Sequence, residues 1–314
     1  MQTIPKCLLL PIDGAGESLR SAVFVSRLYT SSEVSFILCY FSAPTPPAYS
    51  GGVAHSAGLL KKQREFFQVR ERDARRVFDH ARQTLLKKGF PAESIQEHVL
   101  QRETNVAKQT CLLADIRKVD AVLVHKQVTS SLEGFIKGDL PSALLEYCIN
   151  SPVWFTEGES EINPGKAAIC IVNEEASLRI ADHAGYMLAD TGAKIHLLHA
   201  AKKIISPISC RPFEASGKFA EYADTPVRKD KISYLLKASA ILADYGFDES
   251  RVQLTLIPDK GDTAGAILSW CASNQIGIIG LGHSQSEGVW GFLKTSVTKK
   301  ILADFKNMAI WVAQ

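Results

Sequence analysis

Two hydrophobic patterns take turns along the chain. Short apolar runs such as Cys7-Leu8-Leu9-Leu10-Pro11-Ile12 and Val34-Ser35-Phe36-Ile37-Leu38-Cys39-Tyr40 give way to stretches in which apolar residues recur at helical spacing, as at Leu19, Val23, Phe24 and Leu28. The runs predict buried strands and the spaced positions predict helices packed on them. A long charged helix follows over Leu59 to Lys88, stopped by Gly89-Phe90-Pro91. The first half then predicts a strand at Glu97 to Leu100, a helix at Val106 to Ile116 and a strand at Ala121 to His125. A helix from Leu140 and a closing strand at Ser151 to Phe155 complete it. Alternating strands and helices with uniformly apolar strands predict a parallel sheet covered on both faces.

The second half repeats the series. Strands are predicted at Ala168 to Asn173, Lys194 to His199, Val252 to Ile257, Gly277 to Gly282 and Ala309 to Val312, with a helix at Lys229 to Tyr245 and another after Gly261-Asp262. The repeat is visible residue by residue. Gly134-Phe135-Ile136-Lys137 returns as Gly291-Phe292-Leu293-Lys294, and Gly89-Phe90 returns at the same offset as Gly246-Phe247. Upstream, Ser18-Leu19-Arg20 returns as Ser177-Leu178-Arg179 with a small indel. A period of half the chain is a duplicated domain, far longer than a solenoid unit. The expected architecture is α/β: two tandem domains, 1–158 and 159–314, each an open, doubly wound, five-stranded parallel sheet.

Composition narrows the function. A formal charge of +3 over 314 residues gives no basic field for nucleic acid. No apolar run is long enough to span a bilayer, and because Met1 to Lys6 leads directly into a predicted core strand, no signal peptide is expected. Seven cysteines without a C-x-x-C pair, several in apolar runs (Cys7, Cys39, Cys111, Cys170), predict reduced, buried thiols in a cytoplasmic protein rather than a disulfide frame. His196 and His199 lie in a strand with no further ligand at metal spacing, so they predict core or rim histidines. No Gly-x-Ser-x-Gly nucleophile elbow occurs, and no metal or catalytic set is expected.

In such sheets ligands sit at the carboxyl ends of the strands. The loops after Asp13, His125, Asn173 and Gly282 are therefore the candidate site. After the last inner strand, Gly282-His283-Ser284-Gln285 leads through nine residues to Thr295-Ser296, a strand, a glycine loop and a capping pair that together suit a phosphate.

These residues resemble the universal stress protein family, of the adenine nucleotide alpha hydrolase-like fold, in a tandem two-domain form. The family's ATP-binding members carry Gly-x-x-Gly, a nine-residue spacer and Gly-Ser or Gly-Thr. Here Gln285 and Thr295 stand for two of those glycines, while the first half reads His125-Lys126-Gln127-Val128 and then Gly138-Asp139. Pro11-Ile12-Asp13 resembles the segment that holds adenine and ribose; in the second half Asn173 replaces that Asp, while Gly261, Asp262 and Ser296 match. A phosphate would meet the side chains of Gln285 and Val128 and the charge of Asp139. The resemblance thus implies a non-enzymatic stress-response binding or adaptor protein with a degenerate nucleotide site and no resident cofactor. The alternative is an ATP- or AMP-binding switch with slow ATP hydrolysis. In the main reading, the degenerate nucleotide site would comprise Pro11, Ile12, Asp13, His125, Gly138, Asn173, Gly261, Asp262, Gly282, His283, Thr295 and Ser296.

Two short apolar closing strands, Val153-Trp154-Phe155 and Ile310-Trp311-Val312, would leave pairing edges if uncovered. Family members pair through that strand, so the two halves are expected to pair internally as a pseudo-dimer, burying Trp154 and Trp311. A homodimer through the loops Ser42 to Gly58 or Lys203 to Pro226 is a further option; no nucleic-acid or membrane partner is expected, and the sequence names no protein partner.

Overall fold

The computed structural model describes residues 5–12, 17–50, 57–102, 105–126, 140–158, 163–283 and 297–314. The chain divides into two compact units, Met1–Cys148 and Ile149–Gln314.

In the first unit, strands β1 (Lys6–Ile12), β2 (Val34–Ser42), β3 (Ile95–Gln101) and β4 (Ala121–His125) lie parallel in the order β3-β2-β1-β4. β1 has a neighbour on each side and is apolar on both faces, with Leu8, Leu9 and Leu10 fully buried. The charged helix runs Ala57–Lys87 and buries Ala74, Val77, Phe78, Ala81 and Leu85 at helical spacing. Its outer face carries i,i+4 pairs such as Arg75–Glu71, a solvated charge pattern worth a few tenths of a kcal/mol per pair, on the order of 0.3–0.5. Asn105 caps the helix Val106–Arg117 by accepting from the Lys108 backbone N–H at 3.0 Å.

That helix packs on the helix Leu140–Tyr147, and the packing corrects the expectation of wholly reduced thiols. Cys111 of the first helix and Cys148, just past the second, are joined by a disulfide with Cα atoms 4.8 Å apart. Spacing in sequence does not reveal which helices face each other, so the pair was not visible there. The other five cysteines are free; Cys39 and Cys170 are buried in apolar surroundings that push each thiol up to about 12.

The second unit contains β5 (Val153–Glu157), β6 (Lys166–Cys170), β7 (Lys194–Ala201), β8 (Ile208–Cys210), β9 (Val252–Pro258), β10 (Ile278–Gly282) and β11 (Met308–Ala313). Five of them are parallel in the order β9-β7-β6-β10-β11, with β8 antiparallel on β9 and β5 antiparallel on β11. β5 lies in this unit, where it joins the sheet by its ladder to β11. Trp154 stands opposite Trp311 in that ladder, the two indoles stacked 4.0 Å apart and 2° from parallel, both fully buried. His183, on the helix Glu174–Leu188, accepts from Trp154 Nε1 at 2.9 Å. Burial pushes its pKa down to about 3, so it is neutral.

The internal repeat holds in the structure. The helix Val106–Arg117, β4 and the helix Leu140–Tyr147 fall on the helix Thr263–Ser273, β10 and the helix Val297–Asp304 at the offset read from the sequence.

Candidate functional site

At the carboxyl edge of the first unit, Pro11 and Ile12 end β1 and His125 ends β4, all three buried. The ladder Leu8↔Ala121, Leu9↔Val122 makes these strand ends neighbours. The structure thus gathers three of the candidate residues into an apolar shelf with one imidazole. Asp13, Gly138, Thr295 and Ser296 lie outside the described residues.

The second unit brings Asn173, Gly282 and His283 together around the first turns of the helix Glu174–Leu188. Asn173 is that helix's N-cap: its Oδ1 accepts from the Ala176 N–H at 2.9 Å. The Val172 N–H donates to Ser177 Oγ at 2.9 Å, so a second local donor is satisfied within the turn. Gly282 comes against the same turn, where a Cβ would overlap the Ala176 carbonyl. Close packing alone therefore requires glycine here, whatever the loop beyond it binds. His283 donates its N–H to the Ala313 carbonyl at 2.8 Å, extending the β10–β11 ladder, and its own carbonyl accepts from Arg179 Nη2 at 3.1 Å. Burial, then the Arg179 charge, lower the pKa of the His283 imidazole. Arg179 also pairs with Glu175 at 2.7 Å. Its role was missed in the site reading, although the repeated Ser177-Leu178-Arg179 carried the signal.

Gly261 and Asp262 serve a different turn. Gly261 adopts φ +102°, which glycine allows at no steric cost, and its N–H donates to Asp259 Oδ1 at 2.8 Å. Asp262 caps the helix Thr263–Ser273 through the Gly265 N–H at 3.0 Å and pairs with Lys300 Nζ at 3.0 Å. The Gly265 N–H first, then Lys300, hold this carboxyl below its ordinary value. His199, expected to be a satisfied core or rim histidine, has both nitrogens engaged, Nδ1 with the Ile171 carbonyl at 2.8 Å and Nε2 with the Tyr222 hydroxyl at 3.1 Å. Among the described residues no His, Cys, Asp and Glu cluster could hold a metal ion, and no helix is long and apolar enough to cross a membrane.

The parallel order β9-β7-β6-β10-β11, with the site residues at the carboxyl edge, defines a doubly wound α/β domain. More narrowly, the fold is that of the universal stress protein structures. A universal stress protein from Archaeoglobus fulgidus DSM 4304 matches with a TM-score of 0.59 at 12% identity, over 98% of this chain and 96% of that one. A candidate universal stress protein from Pseudomonas aeruginosa UCBPP-PA14 matches with a TM-score of 0.52 at 14% identity, over 98% and 93%. A functionally unknown protein from Pseudomonas aeruginosa PAO1 gives 0.50 at 14% identity, over 98% and 92%. At these identities the likeness is one of fold. No family model and no curated protein matches the sequence.

Proposed function

We propose that this chain is a tandem universal stress protein that works as a cytoplasmic, non-enzymatic binding or adaptor module whose nucleotide site is degenerate. The observation that carries the reading is Asn173. Where the resembling family uses a charged Asp acceptor for the nucleoside, this side chain is a neutral amide whose Oδ1 caps its own helix by accepting from the Ala176 N–H. Gln285, Val128 and Asp139, in place of the expected small or hydroxyl residues, support the same reading. The antiparallel β5–β11 ladder supports internal pairing of the two sequence repeats through their closing strands.

The test is native mass spectrometry of the chain purified without added nucleotide. The reading expects a mass equal to that of the polypeptide. A co-purifying ATP or AMP would overturn it in favour of the nucleotide switch, for which the buried shelf of Pro11, Ile12 and His125 would be the first place to look.

A further inference from the structure

A cleft of about 740 Å³ opens along the flank of the helix Thr263–Ser273 in the second unit, over the outer strands β7, β9 and β8. It shares only Asp262, at its rim, with the candidate nucleotide residues. Its size is within the range of small-molecule sites, about 300–1,000 Å³. His196 and Ser209 line the cleft, and a chain of hydrogen bonds through the fully buried Thr255 joins them. Ser209 Oγ lies 3.0 Å from Thr255 Oγ1, which lies 3.2 Å from His196 Nδ1. The strand ladders create this chain: Ser209 stands opposite Thr255 across β8–β9, and β7 runs parallel to β9 on the other side. The Trp270 indole meets the His196 ring edge to face, 5.1 Å between centroids, and forms a wall of the cleft.

The chain can run in either direction, and each direction sets both of its ends. If Ser209 donates to Thr255 and Thr255 donates to His196 Nδ1, then Nε2 carries the proton and is a donor, while Ser209 Oγ remains an acceptor. Reversed, Nε2 accepts and Ser209 donates. Burial, then the Lys166 charge, push the His196 pKa down to about 4, so a neutral imidazole with one donor and one acceptor lines the cleft. A ligand that carries both a donor and an acceptor therefore finds complementary partners in either direction. Trp270 supplies an aromatic surface and Ile205, 94% exposed on the lip, supplies apolar area that a ligand would cover. Lys260 stands at the rim.

We propose that this cleft is a binding site for a small, uncharged, planar heteroaromatic molecule that carries both a hydrogen-bond donor and an acceptor, held by His196 and Ser209 and by the Trp270 ring. The probe is 2-aminopurine, whose fluorescence is quenched when it stacks on an indole, titrated against the full chain. The expected result is saturable quenching that weakens at least about tenfold in both Ser209→Ala and Trp270→Leu, each change made at a solvent-reached position and checked for an unchanged melting temperature. Naphthalene, flat but without hydrogen-bonding groups, should bind at least about tenfold more weakly than 2-aminopurine. Absence of saturation up to about 1 mM, a Kd that corresponds to about 4 kcal/mol, would overturn the site. Binding that survives either substitution, or naphthalene binding as tightly as 2-aminopurine, would overturn it as well.

Discussion

The same helix pair is fastened differently in the two units. In the first, the helices Val106–Arg117 and Leu140–Tyr147 are clasped by the Cys111–Cys148 disulfide. In the second, the corresponding helices Thr263–Ser273 and Val297–Asp304 pack without a covalent link; Leu268 and the buried Phe305 stand where the repeat places the two cysteines. There the cap Asp262 adds an ion pair to Lys300, whereas its counterpart Asn105 is a neutral cap. A duplicated fold has thus reached one packing by two chemistries. The covalent clasp constrains the unfolded chain, while the apolar and ionic version stabilises only the folded one.

That contrast can be broken most strongly at the disulfide. Reduction, or Cys148→Ala, should destabilise the first unit by about 4 kcal/mol, the scale for closing a loop of this length, and leave the second unit unchanged. Urea unfolding followed with and without reductant checks it, and superimposable curves would remove the clasp from the account. The next effect belongs to the second unit alone. His183 is neutral when folded, with a pKa of about 3, and titrates near 6.5 when unfolded. A depressed folded pKa means that the unfolded chain binds the extra proton. This contribution to stability is therefore complete above about pH 6.5 and is lost as pH falls toward 3, by about 1.4 kcal/mol per unit. Between pH 6.5 and 5 the second unit should lose about 2 kcal/mol, and His183→Phe should flatten that slope. Asn105→Ala should cost the first unit about 1 kcal/mol, the usual worth of a helix cap. Smallest is Asp262→Asn, which copies the first unit's cap and gives up only an exposed ion pair; a barely measurable shift in the unfolding midpoint is expected.

Much of this fold was legible in the sequence because its strands are fully apolar and its helices amphipathic. β4 was read to the residue, and the duplicated Gly-Phe pairs fixed the repeat that places the helix pair. β8 was missed: a three-residue edge strand inside the irregular stretch Lys203 to Pro226 is held by backbone pairing to β9, which leaves no periodic signature. The disulfide was missed because it depends on which helices face one another. The site was legible as a location more than as chemistry. Asn173 was read as a replaced nucleoside ligand, and only the folded turn reveals it as a helix cap. Arg179 and the Ser209–Thr255–His196 chain join residues far apart in sequence, and no local spacing encodes them.

The central claim is that the duplicated nucleotide site no longer holds nucleotide, and calorimetry of the full chain with Mg-ATP tests it most directly. The account predicts no saturable heat in the micromolar range. A dissociation constant near or below about 1 μM, about 8 kcal/mol of binding free energy, would contradict it.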